Sequence, residues 1–152
     1  MRVTTFLAGA GAALLLAACA PPSPYRPVAT VKQIMEGIID PAADVVWGSV
    51  GTIITVAGVE EIAPKNDAQW ERVEHSALTI AETANLLLIG PRAKDQSDWV
   101  EMAQALTHAA LAAMKAAEAR DPEALFSAGG TLYETCRQCH ERYPPPPETA
   151  NQ

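Results

Sequence analysis

The densest chemistry in this chain lies near its C-terminus, in Cys136-Arg137-Gln138-Cys139-His140. Two thiols three positions apart on a helix stand within one turn of each other, and the imidazole follows directly. That C-x-x-C-H pattern is the attachment signal for a c-type haem. Each thiol can add to a vinyl group on one porphyrin edge, and His140 then reaches the iron from the same side. Two other chemistries use similar residues. A thioredoxin-like C-x-x-C pair opens a helix after a strand, whereas this pair falls near a helix end. A structural zinc needs a second pair of ligands, and the remaining histidines, His75 and His108, stand alone on separate helices. One covalent haem c, held by Cys136 and Cys139 with His140 as iron ligand, is the reading that fits.

The motif needs a helix to carry it, and apolar spacing predicts one. Leu125, Gly129, Leu132, Cys136, Cys139 and Tyr143 follow a 4-3-4-3-4 rhythm, with Asp121 as cap and Pro122 at the first helical position. Three more helices precede it. The first starts at Thr30 and carries Val31, Ile34, Met35, Ile38, Ala42, Val45 and Val46, with a kink at Asp40-Pro41. The second starts at Asn66 or Asp67, carries Trp70, Val73, Ala77, Ile80, Ala84 and Leu87, and stops at Gly90-Pro91. The third is capped by Ser97 or Asp98 and carries Trp99, Met102, Leu106, Ala109, Ala113 and Ala117. Residues 52–66 read as a long loop, with a short hairpin as an option. The fold class is therefore all-α, an antiparallel four-helix bundle over residues 30–143 with the haem near its C-terminal helix. Aromatic residues make up only 5% of the chain, which leaves room in the core for something other than side chains.

The flanks point to export. Residues 1–18, MRVTTFLAGAGAALLLAA, place one positive charge before an apolar stretch too short for a bilayer span, which needs about 20 residues. Leu16-Ala17-Ala18-Cys19 resembles the bacterial lipobox, making Cys19 the lipidated N-terminus of the mature chain; the alternative is an ordinary signal cut at a nearby small residue, with Cys19 a spare thiol. Residues 19–29 then read as a lipid-anchored Pro-rich linker, and residues 144–152 as a Pro-rich tail. The expected address is the periplasmic side of a bacterial membrane. Ala20, which is not the aspartate of inner-membrane retention, turns the choice towards the outer membrane. A net charge of −7 argues against nucleic acid as a partner. It suits basic redox partners approached through long-range electrostatics.

Residues 126–143, FSAGGTLYETCRQCHERY, resemble the last helix of the cytochrome c-prime family, whose C-x-x-C-H-x-x-[YF] motif lies near the chain end. The likeness covers the bundle and is strongest at this helix. Cys136 and Cys139 match the thioether positions, His140 the proximal ligand and Tyr143 the aromatic. One departure stands out: Pro144 occupies the place of a basic residue, for which Arg142 could partly substitute. Lys32-Gln33-Ile34-Met35 resembles the family's methionine-ligated, low-spin branch. The resemblance implies that Met35 is the sixth ligand, that Lys32 meets a haem propionate, and that the protein carries electrons rather than acting as an enzyme. A homodimer through the first two helices is a further implication. The alternative is a five-coordinate haem protein that binds NO or CO, in which Met35 is only core filler. A peroxidase is disfavoured, since no distal His/Arg pair is recognisable. Met102 and Met114 sit on the third helix, with less direct access to the iron. Trp47, Trp70 and Trp99 read as packing residues, and His75 and His108 as surface or helix-flank residues.

Overall fold

The computed structural model describes residues 24–145; residues 1–23, with the expected leader and lipobox at Cys19, and residues 146–152 of the expected tail lie outside the described residues. Helix α1 (Val31–Ile34) begins at Thr30, whose hydroxyl accepts from the Gln33 N–H at 3.2 Å. The Gln33 side-chain oxygen accepts from the Thr30 N–H at 2.9 Å, so two orphan donors are satisfied reciprocally. A π turn (Met35–Ile39) and then α2 (Asp40–Gly48) continue the same helical backbone without a break. Pro41 explains the π turn. Its ring crowds the carbonyl four residues back and it has no N–H to offer. Widening the preceding turn, with the Asp40 N–H donating to the Met35 carbonyl, relieves that crowding.

The irregularity thus lies one turn before Asp40-Pro41, and it carries a consequence for the stripe. One extra residue in the turn rotates everything after it. Ile39 is buried and Ile38 only half-buried, against the sequence spacing that favoured Ile38. Ile34, Ala42, Ala43 and Val46 complete the buried face.

Strands β1 (Gly51–Thr55) and β2 (Gly58–Ile62) form an antiparallel hairpin, so most of the expected loop is ordered as two strands. Its turn needs Gly58, whose φ of +142° is one that other L residues rarely adopt. Helix α3 (Asp67–Leu86) starts under an Asn66 side chain that accepts from the Gln69 N–H at 3.0 Å, and it ends one turn before Gly90-Pro91. A 3₁₀ turn (Gly90–Arg92) leads towards α4 (Asp98–Glu118). Helix α5 (Pro122–Arg142) starts under Asp121, whose carboxylate accepts from the Ala124 N–H at 2.9 Å. Helix accounts for 68% of the described residues, with the hairpin as the one sheet among them.

Helices α3 and α4 form the largest contact, along buried alanines: Ala77, Ala81 and Ala84 on one side, Ala103, Ala110, Ala113 and Ala117 on the other. Methyl side chains let two backbones approach closely without holes. Helix α5 packs on α4 through the fully buried Leu125 and Leu132, each contributing about 1.5–3 kcal/mol by burial. Trp47 ties α2 to α5 by donating its indole N–H to the Gly129 carbonyl at 2.9 Å. A Cβ at Gly129 would stand 3.4 Å from that ring, so glycine permits the close approach. Arg92 is buried with no carboxylate partner among the described residues. Its guanidinium donates to the Ala29 carbonyl at 2.9 Å and the Leu86 carbonyl at 3.1 Å, fastening the segment before α1 to the end of α3.

Candidate functional site

The apolar stripe of α5 loses its packing partners halfway along. Leu125, Ala128, Gly129 and Leu132 are buried, whereas Cys136 and Cys139 are half-buried and His140 is exposed. These last three face a cavity of about 440 Å³. The first helical stretch contributes Met35, Ile39, Ala43 and Trp47 to its wall, four residues spaced four apart across the π turn. Helix α4 contributes Trp99, Met102, Ala103 and Leu106. Beside the thiols and His140, the ionisable side chains of the lining are Asp40, Arg137 and Glu141.

This surrounding sets the state of the thiols. Burial pushes Cys136 up to about 11, helped by the Asp40 charge and by Cys139 beside it. Burial likewise raises Cys139. Both are protonated thiols near neutral pH, and neither is in a disulfide. A disulfide-exchanging C-x-x-C needs the opposite, a depressed thiolate pKa. The Asp40 carboxyl is itself raised, chiefly by desolvation, with nearby Asp44 and Glu36 adding and His140 opposing. Arg137 pairs with carboxylates of its own helix: its Nε donates to Glu134 at 2.8 Å and its Nη1 to Glu141. The Arg137 and Gln138 hydrogen bonds hold Glu134 down at about 2.

Behind the cavity, the end of α5 is clamped to the start of α4 through Asp95. One carboxylate oxygen of Asp95 accepts from the N–H groups of Ser97 at 2.9 Å and Trp99 at 3.0 Å. The other accepts from the Tyr143 hydroxyl. These bonds, led by that from Tyr143, bring Asp95 down to about 2, and Tyr143 is raised to about 12 by the same contact. The Trp99 ring meets Tyr143 edge to face at 5.0 Å, and its indole N–H donates to the Leu87 carbonyl at 2.9 Å. Arg142 donates to Asp98 at 3.0 Å and lies 5.4 Å from the Tyr143 ring centre.

Asp95 is the residue that sequence reasoning missed. Ser97 stands at the N-cap position, but its side chain makes no capping bond. The carboxylate reaches the second helical N–H from two positions further back. An acid just upstream of a Ser-Asp cap was the available signal.

The structure brings Met35, Cys136, Cys139 and His140 into the lining of one cavity. Met102 joins them there, despite the expectation of poorer access. Lys32 does not line that cavity; it pairs with Glu36 at 3.5 Å on an exposed surface. Trp70 and Trp99 are buried, Trp47 is half-buried, and His75 and His108 are exposed. Met114 packs, half-buried, against the core. Among the described residues no group of three or more His, Cys, Asp or Glu is placed to hold a metal ion by itself. Compared with protein-family models, curated proteins and solved structures, the chain finds no match in any of the three.

Proposed function

We propose that this protein is an exported, lipid-anchored c-type cytochrome that carries electrons through one covalent haem with His/Met ligation, folded as an antiparallel four-helix bundle. One observation carries the reading: both motif thiols, His140 and Met35 line a single, mostly apolar cavity of about 440 Å³. A volume in that range suits a sizeable planar ligand better than scattered water. The donor set fits haem c, because the thiols are suited to thioether links, the imidazole is a nitrogen ligand and the Met35 sulfur is a soft second one. When bound, haem supplies one-electron exchange between ferric and ferrous iron.

The chain's own residues have separate tasks in this reading. Cys136 and Cys139 retain the group against loss outside the cytoplasm. His140, at the end of a helix fixed by Tyr143 and Arg142, presents its ring from a backbone that cannot swing freely. Ile39, Ala103 and Leu106 exclude water and favour a thioether over a water ligand. Ties between helix ends support the bundle: Arg120 to Asp67 at 3.0 Å, and Arg142 to Asp98 at 3.0 Å. Lys32 is half-exposed and held only by a surface pair, so it is free to turn to a propionate at little cost. Redox proteins with basic faces are the expected partners of a chain with net charge −7.

A visible spectrum of the purified holoprotein tests the reading. Sharp low-spin bands on reduction, unchanged by CO, are the expected outcome, and Met35→Ala should convert them to a high-spin spectrum that takes CO. A Met102→Ala variant should leave the bands in place. Wild-type protein that is high-spin and binds CO at once would replace electron carriage by gas binding at a five-coordinate iron.

A further inference from the structure

The hairpin between α2 and α3 offers apolar side chains that the described residues leave exposed. Relative exposures are 46% at Ile53, 77% at Ile54, 111% at Val56 and 65% at Val59. A two-stranded hairpin with such a surface is marginal alone and presents unpaired strand edges. Its two edges differ in charge. Strand β1 is Gly-Thr-Ile-Ile-Thr, with no charged residue, whereas β2 carries Glu60 and Glu61.

We propose that β1 is a self-association edge, pairing antiparallel with β1 of a second copy about a two-fold axis at Ile53. The strand is self-complementary in that register. Ile53 meets Ile53 of the second copy, Thr52 meets Ile54, and Gly51 meets Thr55. Within each copy Ile54 lies opposite Val59. Two Ile54 and two Val59 side chains therefore gather on one face of the resulting four-stranded sheet. Such cross-strand apolar pairs are the unit of sheet stabilisation.

Charge selects this edge and this stoichiometry. Pairing through β2 instead would set Glu60 against its own copy, with Glu61 against Val59, a direct like-charge opposition. In the β1 dimer the two acidic strands lie three strand spacings apart, about 14 Å. That exceeds the Debye length of about 8 Å, so their repulsion is screened. The outer edges of the dimer are then both acidic, which stops further strand addition. A membrane fits the same surface less well. Glu60 and Glu61 flank the apolar tip, and the chain is acidic overall. The helical stretch 31–48 separates the hairpin by about 27 Å from the end at which the described chain begins. Five residues of edge fall well below the ~1,000 Å² typical of lasting complexes, so the dimer is a concentration-dependent one. None of this depends on haem.

Sedimentation equilibrium of the full chain, in excess neutral detergent micelles from micromolar to millimolar protein, tests it. Wild-type mass should rise towards twice the monomer. Ile53→Lys, which opposes two ammonium groups at the axis, should weaken association at least tenfold with the helical circular dichroism unchanged. Glu60→Val, which removes the acidic guard, should carry association past the dimer. Should Ile53→Lys disturb folding, amide exchange on the wild type decides: protection of residues 51–55 must grow with concentration while that of residues 58–62 does not. A monomer throughout, a dimer indifferent to Ile53→Lys, or binding to phosphatidylcholine vesicles in place of dimerisation would each overturn the proposal.

Discussion

The two halves of helix α5 share one apolar rhythm and meet opposite surroundings. In the first half Leu125 and Leu132 are wholly buried, and Gly129 sits so close to α2 that its carbonyl takes the Trp47 indole N–H. In the second half Cys136 and Cys139 continue the same stripe into a cavity of about 440 Å³. A periodic stripe says which face of a helix avoids water. It does not say whether protein or a bound group covers that face. The cavity lies where the first helical stretch and α4 offer Met35, Ile39, Trp99 and Met102 across the gap, so the uncovered half is the candidate site and the covered half is scaffold.

The strongest way to break this contrast is chemical. Replacing Cys136 and Cys139 together by Ser should abolish haem that survives denaturing electrophoresis, a complete loss of staining rather than a reduction. Persistent staining would remove the cavity half from the haem reading. The next effect is thermodynamic. Leu132→Ala should cost about 2–5 kcal/mol in chemical denaturation, because the void it leaves is enclosed. Cys136→Ala, measured on haem-free protein, should cost less than about 1 kcal/mol, since its sulfur already faces a void. Equal costs at the two positions would erase the distinction between scaffold and site.

A smaller effect comes from the clamp behind the cavity. Asp95 lies at about 2 against an ordinary 3.8, so its contribution is complete above pH 3.8 and is lost as pH falls towards 2. Tyr143 lies at about 12 against an ordinary 10.0, so its contribution is complete below pH 10.0 and is lost as pH rises towards 12. In Tyr143→Phe the alkaline limb should vanish and the acid limb should move up towards pH 3.8, read from denaturation midpoints across the pH range. An unchanged profile would show that the hydroxyl bond does not hold the end of α5. The smallest expected effect is far from the cavity. Arg120 closes α4 at φ +54°, a left-handed position that glycine takes without strain. Arg120→Gly should gain up to about 1 kcal/mol, less about 0.5 kcal/mol for the exposed pair with Asp67 that it loses. Its haem content and spectrum should not change.

Much of the fold is legible in the sequence alone. Thr30, Asn66 and Asp121 cap helices as their types and positions imply, because a short polar side chain before a helical run has an orphan N–H within reach. The stripe of α3 buries as its spacing requires, and that of α5 does so as far as Leu132. The first helical stretch was less legible, because an apolar pattern is read at 3.6 residues per turn and a π turn departs from that period. Ile39 therefore took the place that the spacing assigned to Ile38. The hairpin was obscured for a different reason: Ile53, Ile54 and Val59 are exposed, so no one-sided pattern marked the strands.

By itself the sequence determined the local chemistry: thiols and imidazole within one helical turn, helix starts where caps stand, and an acidic surface. Those properties depend on residues a few positions apart, and so survive without knowledge of the rest of the chain. Only the tertiary structure decided what stands across from the motif. It set Met35 and Met102 in the lining of the same cavity, left Lys32 outside it, and joined Asp95 to Tyr143 across 48 positions of sequence. Such meetings depend on how helix axes cross and where a turn gains a residue, and no local rule of spacing carries that information.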